Sequence, residues 1–160
     1  MKTEIIAQYQ ASLKMLMDTI TKCPDDVWVD ETYENAYWRI VYHALFYTAF
    51  YLSPKEELFV HWPKHIADYE NLGALNDDNL PIVITGIYSK AEMLGYSEDI
   101  INSLDRFISD TDDKKESGFD WLRINKLQMH LYNIRHTQHH VGQLIERLHQ
   151  RGIKGINWVR

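Results

Sequence analysis

Ile40-Val41-Tyr42-His43-Ala44-Leu45-Phe46-Tyr47-Thr48-Ala49-Phe50-Tyr51-Leu52 is the stretch that decides the fold. It is the most apolar run of the chain, but His43 and Thr48 interrupt it and Arg39 precedes it. It also falls short of the roughly 20 residues that a membrane-spanning helix needs. Apolar residues stand on nearly every side of its helical projection, so it reads as a buried helix in the middle of a bundle, touching several neighbours. Asn35 is placed to cap its start, and it runs to about Leu52.

The flanking segments supply the neighbours. Upstream, Ile5, Tyr9, Leu13, Leu16 and Ile20 recur at three- and four-residue steps, one face of a first helix that Cys23-Pro24 ends. Downstream, Ser53, Pro54 and Glu56 offer a capping residue, a proline at the first helical position and a reciprocal glutamate, which predicts a short helix before Pro63 and Gly73 turn the chain into a loop. Ser89 and Glu92 form a capping box, Tyr88 and Met93 its hydrophobic staple. From there Met93, Ile100, Leu104, Phe107 and Ile108 carry a third helix to near Ser109. Asp110 to Gly118 reads as a charged surface loop. Leu127, Leu131, Ile134, Val141, Ile145 and Leu148 then trace a stripe down the fourth and longest helix, stopped at Gly152. Leu80 to Ile87, holding Pro81 and Gly86, reads as a connection, and no stretch keeps a two-residue alternation. The expectation is an all-α four-helix bundle, one domain over residues 1–160.

Composition narrows the function classes. With 160 residues, 45% hydrophobic and 25% charged, the chain suits a single core. Its 5 Trp, 10 Tyr and 5 Phe are too many for a disordered chain. The formal charge is −6 and no basic run is present to neutralise a phosphate backbone, so nucleic acid is not an expected partner. One cysteine, Cys23, excludes an internal disulfide and a cysteine-rich zinc site. The N-terminal MKTEIIAQYQ places Glu4 and Gln8 where a signal peptide needs an unbroken apolar core, so a cytoplasmic location without membrane insertion is expected.

Eight histidines remain, and His130, His136, His139 and His140 crowd the fourth helix. His136 and His140 are spaced i, i+4, which puts two imidazoles one turn apart on one face, as a shared metal ion requires. His43 is the natural third ligand, because an unpartnered imidazole in so apolar a helix carries a desolvation penalty of a few kcal/mol. The plainer alternative is a hydrogen-bonded core His43 and a solvated cluster on the fourth helix. At about 100° per residue, His136 and His140 point away from the aliphatic stripe and share a side with Met129, Tyr132, Asn133, Gln143 and Arg147, which is either solvent or the wall of a cleft. Arg39, one turn before His43, is placed to meet a substrate anion or a carboxylate. His61 and His65 flank Trp62 and suit either a lid or plain surface. Cys23 has no base beside it in sequence, and no nucleophile elbow, phosphate loop or dinucleotide fingerprint occurs.

Asn133-Ile134-Arg135-His136-Thr137-Gln138-His139-His140-Val141-Gly142-Gln143-Leu144 resembles the last-helix signature of DinB-like (DinB/YfiT) proteins, H-x-x-H-H followed by a small residue, Gln and an aliphatic. Tyr42-His43-Ala44-Leu45-Phe46 resembles the segment that contributes their remaining histidine. The resemblance covers essentially the whole chain. It implies an up-up-down-down bundle with one long crossover, and a divalent ion, Zn²⁺ or Ni²⁺, held by His43, His136 and His140. His139 falls at the family's non-ligand position, and His139, Tyr132, Gln143 and Arg39 become candidates for the surrounding cleft. The implied activity is metal-dependent, either hydrolysis or S-transfer from a low-molecular-weight thiol to a small-molecule substrate, in a homodimer. No Glu or Asp stands in a motif that marks a general base. The alternative from another class is a non-catalytic stress-related or interaction protein whose metal site is vestigial or structural.

Overall fold

The computed structural model describes residues 1–109 and 112–160; Asp110 and Thr111, at the head of the expected charged loop, lie outside the described residues. All the extended regular structure described is helical: α1 Lys2–Lys22, α2 Asp25–Trp28, α3 Tyr37–Leu52, α4 Lys90–Ile108 and α5 Lys126–Gln150, with a single 3-10 turn at Glu56–Leu58. Among these residues no helix is long and apolar enough to cross a membrane.

Local chemistry sets most of the boundaries. Cys23 leaves the helical region (φ −67°, ψ 123°) because the residue before a proline is pushed to extended backbone. At α4, Ser89 and Glu92 make both reciprocal bonds of the capping box. The start of α5 has its own box, Asn125 with Gln128, which the aliphatic stripe did not reveal. Gly152 follows α5 at φ 76°, the left-handed turn expected past a helix end. Two expected caps do not form. Asn35 Oδ1 instead accepts the Gly73 backbone N–H at 2.7 Å, and α3 starts after Ala36 without a side-chain cap. The Ser53 hydroxyl donates to the Lys55 carbonyl, so the 3-10 turn is uncapped as well. Burial of Tyr37, Trp38, Ile40, Val41 and Tyr42 holds the start of α3 in place of a cap.

The helix directions correct the up-up-down-down expectation. Tyr9 near the start of α1 meets His130 near the start of α5, and Lys22 at the end of α1 reaches the carbonyl of Gly155 beyond α5, so α1 and α5 run parallel. The Tyr37 hydroxyl at the start of α3 lies 3.5 and 3.4 Å from carbonyls near the ends of both, Thr19 and Leu144. Lys90 at the start of α4 donates to the Cys23 carbonyl, while Lys2 donates to the Ser109 carbonyl at the end of α4. The order is therefore up, down, down, up. The connection at residues 23–36 folds around the buried Val27 and Trp28 of α2 and returns the chain antiparallel, whereas residues 53–89 form the one long crossover, carrying α4 back to run parallel with α3.

Each of α1 and α3 packs against both α4 and α5, around a core that includes Leu13, Leu16, Val41, Leu45, Met93, Leu104, Val141 and Leu144. The expected stripe on α5 is rotated. Leu131 is 57% exposed, and the buried face carries Met129, His130, Asn133, Thr137, His140, Val141 and Leu144. Polar side chains tolerate this because they are bonded across the helix pair: Asn133 Nδ2 donates to the Thr48 carbonyl at 3.0 Å, and the hydroxyls of Thr48 and Thr137 lie 2.7 Å apart. The side of α5 that holds His140 therefore faces α3 and is not bare solvent.

Candidate metal centre

Helix α3 presents His43 and the antiparallel α5 presents His136 and His140, and the three side chains meet. His43 Nε2 lies 3.1 Å from His136 Nε2, and His140 Nε2 lies 3.1 Å from the same atom. All three ligand atoms are within 4.8 Å of one another. His140 is 6% exposed, and the other two are partly buried.

The outer nitrogens define the inner ones. His43 Nδ1–H donates to the Glu70 backbone carbonyl at 2.6 Å, and His140 Nδ1–H donates to Gln143 Oε1 at 2.8 Å. A neutral imidazole that donates from Nδ1 presents a lone pair at Nε2. Two lone pairs thus face His136, whose single N–H can serve only one of them, and its buried Nδ1 has no hydrogen-bond partner. A cation satisfies all three at once. The two 3.1 Å spacings lie close to the about 3.3 Å that tetrahedral ligation at about 2.0–2.1 Å sets between ligand nitrogens.

Burial favours the neutral form of all three rings. Burial pushes His43 down to about 4, against the opposing hydrogen bond to Glu70. Burial, followed by the nearby His140, His43 and His139, pushes His136 down to about 3. His140 is lowered by burial, with Gln143 pulling the other way. Aromatic rings close one flank: Tyr47 lies 4.7 Å from the His43 ring and 5.7 Å from His136, and Tyr51 stands behind it, 5.3 Å from Tyr132.

The other candidates separate cleanly. Gln143 is a direct partner of His140. His139 is exposed, touches the edge of His140 with ring centroids 5.1 Å apart, and does not join the converging group. Tyr132 packs on Tyr51, one layer from the histidines. Arg39 forms no ion pair among the described residues; it is 8% exposed and its Nη2 donates to the carbonyls of Asn71 and Gly73. With Asn35 and His43 it ties residues 70–73 of the crossover to α3. His61 and His65 stack on each other at 4.1 Å, and His65 Nδ1 lies 2.7 Å from the Tyr42 hydroxyl. Their other ring neighbours are Phe46 and Phe59, so they pack on α3 rather than over the histidine set. Cys23 is buried and pushed up to about 12, an inert thiol.

Two participants escaped the sequence. Tyr47 stands i+4 from His43, a helical spacing that marks it in hindsight. Glu70 contributes a main-chain carbonyl, for which no side-chain pattern exists. Its carboxyl Oε2 is buried with no hydrogen-bond partner, and burial raises it above the usual carboxylate range. No family model, no curated protein and no solved structure matches this chain.

Proposed function

We propose that this chain is a divalent-metal-dependent enzyme carrying a DinB-like histidine signature on an up-down-down-up helical bundle, with Zn²⁺ or Ni²⁺ held by His43, His136 and His140. The observation that carries this reading is the convergence of three Nε2 atoms, two of them with their outer Nδ1–H already committed to Glu70 and Gln143. Neutral imidazole is the form that ligates, and burial holds the rings in that form. Three protein ligands leave a four-coordinate ion one exchangeable position, and among the described residues no carboxylate or further histidine joins the group. When bound, the ion supplies Lewis-acid chemistry, lowering the pKa of a water or a small thiol.

The chain's own groups do the positioning. The Glu70 carbonyl and Gln143 fix the ring planes of His43 and His140. Tyr47 packs against the rings of His43 and His136 on one flank. Hydrolysis and S-transfer from a low-molecular-weight thiol to a small molecule both use this arrangement. The buried, unpaired Cys23 suits the reducing cytoplasm in which such thiols are abundant. A second copy of the chain is the expected partner, covering apolar surface such as Trp121.

Elemental analysis of protein purified without an affinity tag tests the metal: one divalent ion per chain, lost in His140→Ala and retained in His149→Ala. Equal retention in both variants removes the assignment. Azide and small thiols should each shift the visible spectrum of a cobalt-substituted sample. A spectrum indifferent to both, with collapse of the fold on chelation, establishes instead a closed structural site. Light scattering at micromolar concentration separates the dimer from a 19.0 kDa monomer.

A further inference from the structure

We propose that the carboxylate of Glu70, standing outside the ligand set, is the counter-charge of the His43, His136 and His140 cation site. The inference rests on the metal reading above and extends it. Three neutral imidazoles bring no negative charge, so a dication held by them keeps its full charge in a partly desolvated place, which is costly without a nearby anion.

Glu70 is tied to that place by its main chain: its carbonyl accepts the His43 Nδ1–H at 2.6 Å. Its carboxylate is among the charges that bear on the Tyr47 hydroxyl, whose ring lies 4.7 Å from that of His43. Its Oε2 is buried and has no hydrogen-bond partner, and a buried polar oxygen left unpaired in a folded chain calls for a specific explanation. The charged groups that bear on it are Asp68 and Asp77, both acidic. No ion pair among the described residues includes it. Arg39, the cation anchored to the same segment, directs its Nη2 to the carbonyls of Asn71 and Gly73. A carboxylate buried beside acidic neighbours and without a cation is half of an ion pair. The histidine set on the other side of His43 is where a cation fits. Placed so, Glu70 also accounts for the anchoring of residues 70–73 by Asn35, His43 and Arg39, which holds a charge-bearing segment against α3.

Co²⁺ alone, titrated into the metal-free full chain and followed by visible absorption, reads the effect directly. Glu70→Gln should bind one Co²⁺ per chain with affinity at least about 10-fold weaker than the parent, because the His43–Glu70 carbonyl bond stays while the attraction of a carboxylate for a partly desolvated dication is lost. Glu70→Met supplies a second neutral side chain should the glutamine variant not fold. Glu70→Asp, which keeps the charge, should stay within a few-fold of the parent, and Glu57→Gln on the exposed 3-10 turn should match it. Unchanged affinity in the folded neutral variants, with the parent binding normally, overturns the proposal and leaves the three-histidine site standing. An aspartate variant as weak as the glutamine one also overturns it, because packing and not charge is then responsible. A parent chain that binds no Co²⁺ removes the metal reading, and this proposal with it.

Discussion

His130 and His140 sit on the same helix and are buried to nearly the same degree, 2% and 6% exposed, but they have different neighbours. His130 faces α1 alone. Its Nδ1 shares a hydrogen bond with the Tyr9 hydroxyl at 3.1 Å, its Nε2 has no partner, and no second imidazole approaches it. His140 faces His43 of α3, aims at the same point as His136 of its own helix, and has its tautomer fixed by Gln143. Burial and a lowered pKa are common to both, so neither property marks a site. Convergence of lone pairs does, because a metal ion needs several donors at one distance, whereas a core histidine needs only a partner for its polar atoms.

The largest expected difference between the two is in metal binding. His140→Ala should lower metal affinity by more than the ~100-fold ceiling of an outer-partner change, while His130→Ala should leave occupancy at one ion per chain; elemental analysis of both variants reads this. Loss of metal from the His130 variant would erase the distinction. Stability should show the converse asymmetry. His130→Ala empties a fully packed position and strands the Tyr9 hydroxyl, costing about 3 kcal/mol by analogy with large-to-alanine changes in cores, measured by urea unfolding of the metal-free chain. A loss below about 1 kcal/mol would mean that the α1–α5 contact relaxes around the gap.

An intermediate effect belongs to Gln143, the hydrogen-bond partner of His140. Gln143→Leu keeps the bulk but removes the acceptor, and it should weaken metal binding by roughly 10–100-fold without comparable loss of fold. His139→Ala, one position from His140 but exposed, should change affinity little. Equal effects from the two would show that the hydrogen bond is incidental.

Acid should act on both regions at once. His43 and His130 are pushed down to about 4 and His136 to about 3, in each case first by burial. Between these values and the ordinary histidine pKa of about 6.5 the unfolded chain binds more protons than the folded one, so stability rises with pH through that window and is lost as pH falls through it. Urea midpoints of the metal-free chain should drop from pH 7 to pH 5, and less steeply in a His130→Phe variant. A pH-independent midpoint would contradict the burial of these rings. The smallest effect tests the helix phase: Leu131→Lys, on the exposed side of α5, should change stability by no more than about 0.5 kcal/mol.

By itself, the sequence determined the four long helices, though not the short α2, and singled out the three histidines that converge. Periodic apolar residues, the Ser89–Glu92 box and the Cys23-Pro24 stop are local signals whose physics operates within a few residues of chain, so they can be read before anything is folded. The i, i+4 pair on α5 and the isolated His43 belong to the same local grammar. Tertiary structure alone decided what those elements face. The aliphatic stripe misplaced α5 because Asn133, Thr137 and His130 are buried through bonds to α3 and α1, and a hydrogen bond between helices 85 or more residues apart leaves no trace in spacing. Helix direction depended on how the 23–36 connection packs around Val27 and Trp28. Arg39 became an anchor for the crossover because backbone carbonyls of Asn71 and Gly73 came within reach, and the Glu70 carbonyl joined the site in the same way. Main-chain acceptors are present at every residue, so only the folded path of the chain selects which of them meets a functional side chain.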